Sequence, residues 1–132
     1  MLERIWKARR DERGFTLIEL VMVLVILGIL LALALPSYLG TRRKAYIAEA
    51  DQRLQEWATA MWLYFTEHNG FNTASVSLPS STANWTFSYT SCPSAGPCVV
   101  TATGQGRALT SSQTITYRLN ADGTRSINSS GF

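Results

Sequence analysis

The stretch GFTLIELVMVLVILGILLALALP, from Gly14 to Pro36, decides how this chain is organised. After Glu19 the stretch holds no charged residue, and the next one in the chain is Arg42. Counted from Phe15, the apolar segment has roughly 21 residues, and about 20 suffice for a helix to cross the ~30 Å hydrocarbon core of a bilayer. The sequence therefore predicts a membrane-spanning helix.

Charges on either side of this segment predict its orientation. Residues 1–14 carry five basic and three acidic side chains, so the positive-inside rule places the N-terminus in the cytoplasm and the chain after Pro36 outside. Arg42, Arg43 and Lys44 on the far side weaken this preference. The same leader accounts for most of the net charge of +3, so a general polyanion-binding surface is not predicted and DNA is only a weakly supported partner.

Glu19 is the residue that a plain membrane anchor does not explain. A charge inside a membrane costs about 2.5 to 3.5 kcal/mol on insertion scales when it is central, and less near an interface, so it normally implies a partner. If the chain were cut between Gly14 and Phe15, the new α-amine would be a cation at neutral pH. That amine could pair with Glu19 of a neighbouring copy shifted along the helix axis, in a medium of low dielectric constant. We therefore expect Glu19 to act in assembly.

The run Gly14-Phe15-Thr16-Leu17-Ile18-Glu19 resembles the prepilin signature of type IV pilins and their relatives. The resemblance rests on the charged leader, the Gly-Phe junction, the position of the glutamate and the long apolar helix. It implies that an inner-membrane prepilin peptidase cuts after Gly14 and methylates the amine of Phe15, and that Glu19 pairs between subunits. It also implies two further kinds of partner, namely copies of this chain and other pilins in a helical filament, and the inner-membrane machinery that assembles them.

Gly28 and Pro36 are predicted to matter for assembly as well, and with Tyr38 they fall where pilins commonly carry the same residues. Inside a helix, glycine costs about 1 kcal/mol and proline about 3 kcal/mol relative to alanine, and proline also removes a backbone hydrogen bond. Residues 29–35 are thus bounded by two weak points. A simple kink and local melting in the assembled filament both remain open.

The second half of the chain predicts an amphipathic helix over 37–68, a loop over 70–84 and an antiparallel sheet over 85–128. Asn69-Gly70 should end the helix, because glycine is favoured just past a C-terminus. The apolar stripe at helical spacing that should face the sheet comprises Ile47, Ala50, Leu54, Trp57, Ala58, Met61, Tyr64 and Phe65.

Four strands are predicted from alternating patterns, near 85–89, 99–103, 114–119 and 124–127. The pilin resemblance implies the corresponding fold class, an α+β type IV pilin fold in which a long N-terminal helix packs on a four-stranded antiparallel sheet. The predicted organisation is a cleaved prepilin leader over 1–14, a transmembrane or filament-core helix over 15–36 and a globular domain over 37–132.

Cys92 and Cys98 bracket a turn between two predicted strands. Outside the cytoplasm, such a pair is expected to form a disulfide that pins the hairpin. A metal site is not expected, because two thiols without a nearby histidine are an incomplete ligand set.

No acid pair on a helix, Ser-His-Asp set, phosphate-binding loop or metal-ligand cluster is recognisable, so no enzyme activity and no cofactor are predicted. We expect a structural pilus subunit, located in the inner membrane and then in an extracellular pilus that serves adhesion, twitching motility or DNA uptake. Minor pilin and type II secretion pseudopilin are alternatives. An alternative of another class is a secreted soluble binding protein whose signal peptide is cleaved near Ala32-Leu33-Ala34.

Overall fold

The computed structural model describes residues 14–132, so all of the leader predicted over 1–14 except Gly14 lies outside the described residues. One helix and four strands follow in chain order: α1 (Leu17–His68), β1 (Trp85–Ser91), β2 (Cys98–Gly104), β3 (Thr114–Leu119) and β4 (Arg125–Ser130). The strands form one antiparallel sheet in the order β1-β2-β3-β4. This architecture is the predicted α+β pilin fold, which is therefore confirmed.

The chain divides into two compact units after Gly40, four residues beyond the boundary predicted at Pro36. The first unit holds the apolar part of α1, whose side chains are all exposed. The second unit, Thr41–Phe132, holds the rest of α1 and the sheet. The functional roles assigned to these segments remain predictions.

The core of the second unit forms between one stripe of α1 and one face of the sheet. From the predicted stripe, the helix buries Ala50, Leu54, Trp57, Ala58 and Met61. Ile47 and Phe65 are partly buried and pack against this core, and Tyr64 is half-buried. The sheet contributes alternating residues, because successive side chains of a strand point to opposite faces: Trp85, Cys98, Val100, Ala102, Ile115, Tyr117 and Leu119.

Two hydrogen bonds from tryptophan indoles join the helix to the first strand. Trp85 Nε1 donates to the backbone carbonyl of Tyr46 at 3.0 Å, and Trp57 Nε1 donates to the hydroxyl of Tyr89 at 3.1 Å. The Tyr89 hydroxyl in turn donates to the carbonyl of Val76, which ties down the loop after the helix. Burial raises the pKa of Tyr89, and the hydrogen bond from Trp57 partly offsets that rise. Large aromatic side chains therefore hold the sheet in position while their polar atoms stay satisfied.

The strand β4 differs from the other three, since all of its residues are exposed. It pairs with β3 from Thr114↔Ser130 to Leu119↔Arg125 and forms one edge of the sheet. The sequence placed this strand near 124–127, because Asp122-Gly123 marks its start but its polar residues give no signal for its end. Backbone pairing with β3 extends it to Ser130.

The end of α1 corrects the expected role of Gly70. The helix ends at His68, and the residue in the left-handed region is Asn69, with φ of 53°. Asparagine tolerates this conformation better than most residues. Asn69 N–H still donates to the carbonyl of Phe65 at 2.7 Å. The helix therefore ends at His68 as predicted, but Asn69 and not Gly70 takes the left-handed position.

A tight turn joins β3 to β4 against the helix. Asp122 accepts hydrogen bonds from the backbone N–H and the hydroxyl of Thr124, which hold the pKa of that carboxyl below its ordinary value. Gly123 has φ of 83°, and a Cβ at this position would lie 2.9 Å from Cζ2 of Trp62. The turn thus needs glycine for its backbone and for its contact with the helix.

We expect Gly123→Ala to lower the free energy of unfolding of the second unit by about 1 to 2 kcal/mol, the usual cost of a left-handed residue with a Cβ. Thermal denaturation of the full chain in detergent micelles, followed by near-UV circular dichroism, measures the change. Gly70→Ala is the matched control, because its Cβ would lie 3.5 Å from the nearest atom, the Ser94 carbonyl oxygen, and its φ is not positive. Equal shifts for both variants would contradict the prediction.

Candidate processing and assembly site

The predicted cleavage junction lies directly before the first helical turn. Gly14, Phe15 and Thr16 have no regular secondary structure and are exposed, and α1 begins at Leu17. Phe15 is 85% exposed. A peptide bond outside a helix, with exposed flanking residues, is open to a processing enzyme without prior unfolding of the helix.

Thr16 and Glu19 form a capping box at the start of α1. The Thr16 backbone N–H and hydroxyl each donate to Oε2 of Glu19 at 3.2 Å, and the Glu19 N–H donates to the Thr16 hydroxyl oxygen at 3.3 Å. Thr16 is thus the N-cap, and Glu19 is the third helical residue. The carboxylate also lies in the first turn, where the helix dipole favours negative charge.

This geometry corrects the expectation that Glu19 has no role in an isolated helix. A single chain already gives its carboxylate two hydrogen bonds from Thr16. The signal was present in the sequence, since threonine followed three residues later by glutamate at the start of an apolar run is a capping-box pattern. Pairing of Glu19 between copies stays a prediction, and helix capping within one chain is a second role for the same carboxylate.

The structure brings together some of the predicted site residues. Gly14, Phe15, Thr16 and Glu19 line one open depression of about 390 Å³ at the start of α1. Gly28 and Pro36 lie further along the helix and do not contribute to it. The pair Cys92 and Cys98 belongs to the second unit and forms a disulfide between the end of β1 and the start of β2, in agreement with the expected cystine.

Gly28 is not required by any contact within the part of the chain that the structure describes. A Cβ built on it meets no atom within 4 Å beyond the neighbouring helix backbone. The helix also continues through Pro36 in the isolated chain. Neither residue has a packing role in this single copy, so the predicted kink or melting in an assembled form stays a prediction.

The apolar side chains that follow Glu19 have no partner among residues 14–40, the described part of the first unit. From Leu20 to Leu39 every side chain is exposed, with the large ones between 44% and 73%. The helix is long and apolar enough to cross a membrane. Surface of this kind is not stable in water, so lipid tails or the apolar helices of other chains must cover it.

A polar cluster follows the apolar part of α1. Arg42 Nε donates to the hydroxyl of Tyr46 at 2.9 Å, and the guanidinium carbon lies 5.6 Å from the centre of the Tyr46 ring. Arg43 and Lys44 beside it are exposed. Such a group of cations suits the polar boundary of an apolar span.

No group of three or more metal-ligating side chains occurs within residues 14–132. His68 lies exposed at the end of α1, where its ring stacks on Tyr64 and Nδ1 lies 3.1 Å from the carbonyl oxygen of Tyr64. His68 thus acts locally at the end of the helix.

Comparison with known proteins adds a family match to this geometry. Residues 9–35 match the model of the prokaryotic N-terminal methylation motif. The chain is 31% identical to the type IV wide pilus major component PilA4 of Thermus thermophilus, over 69% of this chain and 73% of that protein. It is 40% identical to the prepilin peptidase-dependent protein D of Escherichia coli, over 71% of this chain.

A third relative belongs to a secretion system. The type II secretion system core protein G of Aeromonas hydrophila is 34% identical over 53% of this chain and 49% of that protein. The chain spans 64% of the Escherichia coli relative and 31% of the type IV major pilin PilA of Myxococcus xanthus, which is 35% identical to it over the matched part. No solved structure matches the chain.

Proposed function

Because the chain belongs to the type IV pilin family, whose members are structural proteins, we propose that it is the main structural subunit of a type IV pilus filament. In this proposal, a prepilin peptidase cuts between Gly14 and Phe15 and methylates the new amine. The subunit waits in the inner membrane and is then assembled, with copies of itself and other pilins, into an extracellular filament by inner-membrane machinery.

The observation that carries the proposal is the uncovered apolar surface of α1. The side chains from Leu20 to Leu39 need either lipid or other helices around them, and a filament core built from such helices supplies the second. Replacing lipid contacts with protein contacts brings little hydrophobic gain, so close packing and polar pairing must determine the geometry. The open space at Gly28 fits this requirement, because a missing side chain allows another helix to approach closely.

The carboxylate of Glu19 retains an open position for a neighbour. Thr16 donates to Oε2, and Oε1 accepts no hydrogen bond from any residue between 14 and 132. A carboxylate oxygen has room for a further donor. The methylated amine of Phe15 in an adjacent copy is the cation that processing would supply, so capping within one chain and pairing between two chains are compatible.

Adhesion, twitching motility and DNA uptake are all roles for such a filament. DNA has little support, because most of the net positive charge of the chain lies in the leader. The similarity to a type II secretion core protein favours a second candidate function, a subunit of a secretion pseudopilus. A minor pilin remains a further alternative within the same family. The abundance of the chain in surface filaments distinguishes a main pilus subunit from a minor pilin and from a secretion pseudopilin.

Mass spectrometry of filaments sheared from the cell surface tests the proposal. We expect an abundant chain that begins at methylated Phe15 and carries an intramolecular bond between Cys92 and Cys98 when no reductant is present. A trace amount would favour a minor pilin, and absence from surface fibres would favour a pseudopilin. A mature terminus at Leu35 or Pro36 would instead indicate a secreted soluble binding protein, and two free thiols in the exported chain would contradict the cystine.

A further inference from the structure

The face of the sheet that points away from α1 is lined by small polar side chains in register. Strand pairing places the residues of this face in three rows, of which two cross all four strands and one crosses β2, β3 and β4. The first row is Thr86, Thr103, Thr114 and Ser130, and the second is Ser88, Thr101, Thr116 and Asn128. The third runs through Val99, Arg118 and Ser126. We call these residues the outer sheet face.

Most hydroxyls of the outer sheet face form no hydrogen bond with residues 14–132 and can therefore bind a ligand. Thr86 donates to the carbonyl of Thr103, and the hydroxyls of Thr90 and Thr101 lie 2.6 Å apart. Among the described residues, the side chains of Thr116, Ser126 and Asn128 make no hydrogen bond within the chain. They lie at the β4 side, where the sheet ends and access is open.

Arg118 is the charged residue of the outer sheet face. Its side chain is exposed, and no described residue forms an ion pair or hydrogen bond with it. It lines a shallow depression of about 440 Å³ together with Val99, Thr116, Ser126, Ile127 and Asn128. The three rows contain no carboxylate, so nothing on this face neutralises the guanidinium.

One guanidinium surrounded by hydroxyl and amide groups indicates the chemical class of ligand that this face can bind. A guanidinium matches a carboxylate through two parallel hydrogen bonds. The hydroxyls of Thr116 and Ser126 and the amide of Asn128 can both donate and accept, as the hydroxyls of a sugar require. Val99 supplies an apolar floor for the C–H groups of a sugar ring. A nucleic acid would need several cations along its phosphates, and the outer sheet face offers one.

We propose that the outer sheet face binds a carboxylate-bearing polysaccharide, with Arg118 holding the carboxylate and the neighbouring hydroxyl and amide groups holding the sugar. A repeating uronic acid chain suits an open sheet better than an isolated ligand, because several rows of hydroxyls continue beyond the depression. The proposal depends on the sheet of one chain and not on filament assembly, so the two can fail separately.

Binding of polygalacturonate to the purified full-length chain in detergent micelles tests the proposal by biolayer interferometry. We expect saturable binding of polygalacturonate and none of dextran, which offers hydroxyls without carboxylates. Arg118→Gln should weaken binding about tenfold or more, as expected for the loss of a charge-assisted contact. Asn128→Ala should weaken it about threefold, comparable to the loss of a neutral hydrogen bond.

The matched control is Arg53→Gln, which removes the same charge from an exposed position on α1 and should leave binding unchanged. Near-UV circular dichroism checks that each variant keeps the packing of the wild-type sheet. Equal losses of polygalacturonate binding for Arg53→Gln and Arg118→Gln would overturn the proposal, because binding would then depend on the net charge of the chain and not on a contact with Arg118. Absence of polygalacturonate binding, or stronger binding of single-stranded DNA that also requires Arg118, would overturn it too.

Discussion

Glu19→Ala is expected to leave membrane insertion intact and to reduce the yield of sheared filaments at least tenfold. Insertion should survive because the substitution removes a charge from an apolar segment, which lowers the cost of entering the bilayer. Assembly should fail because the amine of Phe15 in the neighbouring copy would lose its counter-charge in a medium of low dielectric constant. Removing one partner of a buried ion pair typically costs about 3 to 5 kcal/mol, and each 1.4 kcal/mol is a factor of ten.

The capping box makes a sharper version of this experiment necessary. Alanine at position 19 removes both the charge and the two hydrogen bonds that the carboxylate accepts from Thr16, so a loss of filaments could come from a frayed helix start. Glu19→Gln keeps a side chain that can complete a capping box and removes only the charge. Thr16→Ala does the reverse, since it removes the N-cap hydroxyl at a cost of about 1 kcal/mol and keeps the carboxylate.

We expect Glu19→Gln to lose filaments as Glu19→Ala does, and Thr16→Ala to retain most of them. The yield is measured by immunoblot of sheared fibres, and insertion by the amount of the chain in the membrane fraction. Mass spectrometry of the membrane-bound chain must show a methylated Phe15 in all three variants, because a processing defect would also reduce assembly. Normal filament yield for Glu19→Gln would contradict the pairing and assign Glu19 to capping alone.

Trp85→Ala is expected to have the largest effect on the stability of the second unit, with a loss of about 3 to 5 kcal/mol in the free energy of unfolding. The indole is fully buried, and its N–H donates to the Tyr46 carbonyl. Its ring lies 6.1 Å from the ring of Phe132. The substitution therefore leaves a cavity in the core. It also removes the donor of the hydrogen bond that joins β1 to the Tyr46 carbonyl on α1.

Trp85→Phe separates these two losses, because it keeps most of the ring and removes only the N–H. We expect it to cost clearly less than alanine. Urea denaturation of the full chain in micelles, followed by near-UV circular dichroism, gives the free energies. Leu63→Ala is the control, since Leu63 is 60% exposed and should change the free energy of unfolding by less than about 0.5 kcal/mol. A Trp85→Ala cost no larger than that of Leu63→Ala would refute the assignment of Trp85 to the core.

Helix faces and strands with a regular spacing of apolar residues could be predicted from the sequence most reliably. The stripe of Leu54, Trp57 and Met61 was predicted to face the sheet and is buried. The third strand was placed over 114–119 and occupies those residues. Both follow from short-range geometry, because the spacing of apolar residues along a helix or strand determines which side chains share a face. The cystine between Cys92 and Cys98 was also predicted, since its two residues are close in sequence.

Other features depend on tertiary contacts, which the spacing of apolar residues does not indicate. The extent of β4 follows from pairing with β3, because the polar residues of β4 carry little strand preference of their own. The predicted stripe does not include Trp62, yet this side chain packs against the core and lies beside Gly123 in the turn between β3 and β4. The role of Thr16 was not predicted, although a threonine three residues before a glutamate is a capping-box pattern that the sequence itself shows.

The amino-acid sequence by itself determined the apolar span, the processing signature around Gly14 and Phe15, and the order of helix and strands. These depend on composition and on spacing within a few residues, and neither requires knowledge of distant contacts. Only the tertiary structure decided that the Trp85 indole donates a hydrogen bond to the Tyr46 carbonyl. It also decided that Arg118 is the one charged residue among the hydroxyl-bearing side chains of the outer sheet face. Those facts depend on the register of paired strands, where a shift of one residue would exchange the two faces of the sheet.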